Sequence, residues 1–138
     1  MVTQIGNKKS ILYLFFISIV LFSCNKKREI KEISNIINIP IEDKIVFDSK
    51  EEFWGDFLSD GYKILVFNII DTMLIQDASL KMHPYDMHFI EVNYYKSEVY
   101  KYLYNSDGFY QKQINNDVIK IIFINKVTNQ LIYYLIIW

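Results

Sequence analysis

Two β-rich runs close the chain: "DVIKIIFIN", residues 117–125, and "QLIYYLIIW", residues 130–138, separated only by "KVTN". β-Branched and aromatic side chains suit a pleated, half-buried surface. Two such runs around a short polar link predict a hairpin with a four-residue loop. In places both faces of these strands are apolar, so the hairpin has to lie centrally in a sheet or under a helix. A last strand ending on Trp138 without a polar tail is expected to belong to the core.

The segments before the hairpin mostly carry the same signature. "KIVFD" (44–48), "YKILVFNII" (62–70), "HFIEVNYY" (88–95) and "GFYQKQ" (108–113) are expected strands, the last one following an Asp107-Gly108 turn. Ser49 and Glu52 form a capping box, and Phe53, Trp54, Phe57 and Leu58 fall on one helical face before Gly61, so residues 50–58 are expected to be a short amphipathic helix. Residues 71–87 look irregular, with Asp71, Asp77 and Pro84 as breakers. "SEVYKYLYN" is ambiguous: a strand puts Tyr100, Tyr102 and Tyr104 on one face, while a helix pairs Val99 with Leu103 and Tyr100 with Tyr104. No internal repeat is present. The expected class is α+β: a mainly antiparallel sheet with one or two short helices on one face and a C-terminal β-hairpin, spanning 41–138.

The N-terminal end reads differently. Lys8 and Lys9 precede a twelve-residue apolar run, Ile11–Phe22, which Asn25-Lys26-Lys27-Arg28 then stops. Crossing a bilayer takes roughly 20 apolar residues, so a span is not expected; a charged leader followed by a short apolar run fits a secretory signal. The run ends in Leu21-Phe22-Ser23-Cys24, and Cys24 is the only cysteine of the 138 residues. This tetrapeptide resembles the lipobox of bacterial lipoproteins, with Phe22 departing from the small or β-branched residue usual there. The resemblance covers residues 1–24. It implies that 1–23 is a signal peptide to be removed, that the Cys24 thiol receives a diacylglyceryl group, and that the new amino group is acylated. Two or three acyl chains make a stable anchor where one gives reversible binding. Beyond Cys24 the chain resembles only small uncharacterised bacterial lipoproteins, which implies no activity.

Residues 24–40 are then expected to be the lipidated cysteine and a tether. Ile30, Ile33 and Ile37 recur at helical spacing, so a fraying helix or a first strand remains open until Pro40. Lys26, Lys27 and Arg28 lie where they can face anionic headgroups or simply solvate a linker.

Charge and motifs bound the chemistry. Net charge is −1; two of the 15 basic residues precede Cys24 and all 16 acidic ones follow it, leaving −3 from Cys24 onward. No nucleic-acid partner is expected of such a balance. A single cysteine allows no internal disulfide. Nucleophile elbows, zinc-protease helices, paired-cysteine motifs and phosphate-cradling glycine loops are all absent, so no enzyme and no cofactor is expected. Three constellations remain. "KMHPYDMH" places His83, Asp86 and His88 within reach of a copper or zinc ion, but at a spacing that matches no standard site and across Pro84. Glu52, Asp56 and Asp60 would stack on one face of the expected helix as paired carboxylates, which is also how any solvated helix looks. Tyr100, Tyr102 and Tyr104 lie in a segment with six tyrosines between Tyr94 and Tyr110, and rigid amphipathic rings suit recognition of a protein or a sugar. The expectation is a lipid-anchored envelope protein outside the cytoplasm, with a non-catalytic domain that binds a protein partner in an accessory, inhibitor or immunity-type role. The alternative is a small-ligand module, for wall glycan through the tyrosines or metal through His83 and His88.

Overall fold

The computed structural model describes residues 2–55 and 60–138, with side chains in the first helix described over 10–17 and 26–37. Four helices are found among these residues: α1 (Val2–Ile37), α2 (Met73–Lys81), α3 (Met87–Tyr94) and α4 (Tyr100–Leu103). Six strands, β1 (Ile45–Trp54), β2 (Gly61–Ile69), β3 (His83–Tyr85), β4 (Gly108–Asn115), β5 (Val118–Asn125) and β6 (Gln130–Ile137), form one sheet in the order β1-β2-β6-β5-β4-β3. Every neighbouring pair is antiparallel. The class is the α+β antiparallel one that the sequence predicts.

The C-terminal hairpin is central. β6 lies between β2 and β5, and its register with β5 runs from Val118–Ile137 to Asn125–Gln130. Successive side chains along a strand point to opposite faces, and both faces of the hairpin are buried. Ile122, Ile124, Leu131 and Tyr133 join one apolar cluster, while Ile121, Phe123, Ile132 and Tyr134 join the other. The first face is covered by Ile33 and Ile37 of α1 and by Leu74 and Ala78 of α2. The second is covered by Ile90 and Tyr94 of α3 and by Val99 and Leu103 at α4. Two helices therefore lie on each face, where the sequence suggested one or two on a single face.

Three local expectations change. Residues 50–54 are strand, not helix: Glu51, Glu52, Phe53 and Trp54 pair with Ile64, Lys63, Tyr62 and Gly61. Cross-strand pairing of these aromatic residues outweighs the capping-box pattern. The rest of that predicted helix, Asp56, Phe57 and Leu58, lies outside the described residues. Residues 88–95 are mostly helix, not strand, because Asp86 caps α3 by accepting a hydrogen bond from the Phe89 N–H at 2.9 Å. The irregular stretch 71–87 contains α2, opened by the Asp71 carboxylate accepting from the Met73 N–H at 3.0 Å.

The predicted tether is largely part of the packed domain. Ile33, Ile37, Ile39 and Ile41 are buried in the first cluster, so the helical spacing of the isoleucines marks an α1 face that docks on the sheet. α1 stops at Asn38, whose φ of 57° lets the Ile39 N–H reach back to the Ser34 carbonyl at 3.3 Å. This is the Schellman closure, with asparagine in the left-handed position.

Candidate functional site

Cys24 falls within the backbone of α1, and its thiol lies outside the described residues. What the structure does describe is the helix that leads away from it. Lys26 to Ile37 is continuous helix whose far end is buried against the sheet. Nine residues at 1.5 Å rise place Ile33 about 14 Å along the axis from Cys24. Among the described residues no helix is long and apolar enough to cross a membrane.

The tyrosine segment resolves as helix α4, and this breaks the predicted stripe. Tyr100 and Tyr104 pack ring to ring at 5.8 Å, and Tyr95, from the end of α3, meets Tyr100 edge-on at 5.4 Å. Tyr95 and Tyr104 are 61 % and 58 % exposed, so the three rings form an open ladder on the α3–α4 side of the sheet. The Tyr100 hydroxyl donates to Glu91 Oε1 at 2.6 Å, which fixes the middle ring; that bond, followed by burial and the Glu91 charge, pushes its pKa up to about 12. Tyr102 points elsewhere. Its hydroxyl approaches Glu51 at 3.4 Å, while its backbone carbonyl accepts from the buried Asn125 side chain at 3.1 Å. Tyr95 was not singled out by sequence reasoning because strand periodicity sets it apart from the 100, 102, 104 series. A helical reading through Tyr100 and Tyr104, with α3 ending beside it, recovers it.

Glu51 ties α4 to the sheet. Its carboxylate receives hydrogen bonds from Lys101, from the Tyr62 hydroxyl at 3.2 Å and from Tyr102. The Lys101 hydrogen bond is the main reason that its carboxyl sits below the ordinary carboxylate range, partly offset by desolvation. Nearby, the Tyr134 hydroxyl donates to Glu98 at 2.8 Å and accepts from Ser97 at 3.2 Å. Burial first, and Glu98 after it, raise the Tyr134 pKa against the lowering effect of the Ser97 hydrogen bond. The network braces the loop that carries the ladder.

The other sequence candidates do not converge. His83 is exposed on β3 with its ring 5.5 Å from Tyr110, Asp86 is occupied as the α3 cap, and His88 follows on the helix. No group of three metal-ligating side chains occurs among the described residues. Glu52 lies on strand β1, paired with Lys50 at 3.2 Å and hydrogen-bonded by the Trp54 indole at 3.2 Å. The helical stack with Asp56 and Asp60 does not form through it, and Asp56 lies outside the described residues. Comparison with protein families, curated proteins and solved structures finds no match for this chain. Its function has to be read from its own chemistry.

Proposed function

We propose that this is a lipid-anchored protein of a bacterial cell envelope whose domain is a non-catalytic binding module for another protein. Acylated Cys24 supplies the anchor, and the ladder of Tyr95, Tyr100 and Tyr104 supplies the recognition surface. The observation that supports the reading is that the helix leading from Cys24 and the helices carrying the tyrosines pack on opposite faces of one sheet. α1, which leads from Cys24, packs on the first face, while α3 and α4 hold the ladder on the second. A domain held to a bilayer along one face presents the other to whatever approaches. Rings with two rotatable bonds and a polar tip bury much area at low entropic cost.

In-cell crosslinking of the full-length protein followed by mass spectrometry tests this. One dominant crosslinked protein is expected, and it should vanish when Tyr95, Tyr100 and Tyr104 are replaced by alanine. The N-terminal peptide should start at Cys24 and carry acyl mass. An unmodified Cys24 in a chain that keeps Met1 would remove the anchor, and no crosslinked protein would remove the partner.

A second reading is favoured by one feature. Phe53 stacks on Tyr62 at 6.4 Å, and Tyr62 meets Tyr134 edge-on at 6.4 Å beside Glu98. Aromatic faces with an adjacent carboxylate suit a sugar ring, so wall fragments titrated against tryptophan fluorescence are the test; a flat trace ends this reading.

A further inference from the structure

Where α1 approaches the sheet, its residues 26–32 and the strands below enclose a cleft of about 480 Å³. Five cationic side chains line it: Lys26 and Arg28 from the helix, and Lys50, Lys63 and Lys120 from the strands. Only two carboxylates share the lining, Glu29 and Glu32. Each already serves one strand lysine: Glu29 holds Lys63 at 2.8 Å, and Glu32 holds Lys120. Lys50 is shared with Glu52 at 3.2 Å, outside the cleft. Counting that acid too, five cations face three carboxylates among the described residues. The surrounding chain is acidic, at −3 from Cys24 onward. A positive concavity on an acidic domain is a local feature with its own field. The floor is closed by Tyr133 and Leu135, so the lysine heads are partly walled from water. Burial, with the charges of Lys50 and Lys63, draws the Lys26 pKa down against the pull of Glu29.

Position gives the cleft its meaning. Lys26 follows Cys24 by two residues, about 3 Å along a helix axis. With Cys24 acylated, the mouth of the cleft stands at the depth of the phospholipid headgroups. We infer that the cleft takes the phosphate of an anionic phospholipid headgroup, with Arg28 and Lys50 as its outer clamp and Lys63 and Lys120 beneath. Arginine supplies a planar fork for phosphate oxygens and lysine a compact charge. The inference rests on the anchor reading for the source of the phosphate, and it differs from a diffuse basic patch because three of the five cations come from the sheet. Lipid binding there fixes the α1 face against the bilayer, which aims the opposite face outward.

The test uses the full-length protein in nonionic detergent micelles doped with phosphatidylglycerol or phosphatidylcholine. The readout is the rate at which an amine reagent labels Lys50, Lys63 and Lys120, followed peptide by peptide. Phosphatidylglycerol should slow labelling of these lysines, and phosphatidylcholine or inorganic phosphate at the same concentration should not. Arg28→Gln with Lys50→Gln, both exposed, should raise the half-protecting phosphatidylglycerol fraction roughly 30-fold, at a factor of about five per basic residue. Its thermal melt should not move. Lys27→Gln, which alters an exposed neighbour outside the cleft, should shift protection several-fold less than either cleft substitution. Equal protection by both lipids would overturn the inference, as would an equal effect of Lys27→Gln, which marks a diffuse patch. Protection by inorganic phosphate would overturn the lipid assignment in favour of a soluble phosphate ester. The mass of the Cys24 peptide from the same sample reports the anchor separately, so its failure is not confused with failure of the cleft.

Discussion

Asparagine does the work of glycine in this chain. Among the described residues the four positive-φ positions other than glycine are Asn38, Asn105, Asn116 and Asn129, and no glycine has positive φ. Asparagine tolerates the left-handed region better than other side chains, and alanine pays about 1–2 kcal/mol there. Asn38 closes α1 and Asn129 closes the β5–β6 loop, where the Asn125 side chain also accepts from the N–H groups of Val127 and Thr128 at 3.0 and 3.1 Å. Asn38→Ala and Asn129→Ala should each lower stability by about 1 kcal/mol in urea unfolding, while glycine at either position should be close to neutral. If alanine is as well tolerated as glycine, the left-handed geometry is not what selects asparagine. Glu51 makes a second prediction at this scale. A carboxyl held below its ordinary pKa contributes stability above that value and loses it as pH falls through the lowered one. Glu51→Gln should therefore destabilise the neutral protein by no more than about 1 kcal/mol, since the Lys101 pair is largely solvated. In acid the two proteins should converge.

Elements were legible where one rule decided them and illegible where two rules gave the same answer. The hairpin and its "KVTN" loop, and the strand over 62–70, could be read because β-branched and aromatic residues fill both faces of short runs bounded by turn residues, the pattern of strands covered on both sides. α3 shows the opposite case. Ile90, Val92 and Tyr94 share a face in a strand, whereas a helix keeps Ile90 and Tyr94 together and turns Val92 away. In the structure Ile90 is buried and Val92 is 67 % exposed, so one residue separates the readings, and the cap at Asp86 was the missed signal. Ile90→Ala should cost about 2–4 kcal/mol and Val92→Ala less than about 0.5 kcal/mol. Comparable losses in chemical denaturation would restore the strand. The tyrosine ladder was half legible for the same reason, since Tyr100 and Tyr104 share a face under both periods but Tyr95 joins them only through the α3–α4 turn. Only the helix part of the basic cleft, Lys26 and Arg28, was legible: Lys50, Lys63 and Lys120 are scattered over three strands, and only sheet order and α1 docking bring them beneath it.

On the scale of the whole molecule, one sheet carries two apolar layers with tyrosine hydroxyls inside both. Tyr133 sits in the layer beneath α1, and Tyr85 and Tyr94 sit in the layer beneath α3 and α4. Burial is the first cause that raises all three: Tyr85 and Tyr94 are pushed up to about 12, and Tyr133 is raised further by Glu32 and Glu29 of α1. A tyrosine stays neutral in the folded layer and ionises at its ordinary value of 10.0 once unfolded. Its contribution is thus fully present below that pH and is lost as pH rises through the higher folded value. Because both layers are built on the same strands, neither can open alone without exposing the back of the other. Raising the pH from about 10 to about 12 should consequently lower the urea midpoint steeply and cooperatively. Tyrosine ionisation by absorbance and loss of sheet by circular dichroism should follow one curve for the buried class. Tyr133→Phe should make that limb shallower although the hydroxyl lies on the α1 face, away from the ladder. Two separate alkaline transitions, one for each face, would mean that the α1 layer and the α3–α4 layer fold as independent units, and that packing on one face does not hold the other in place.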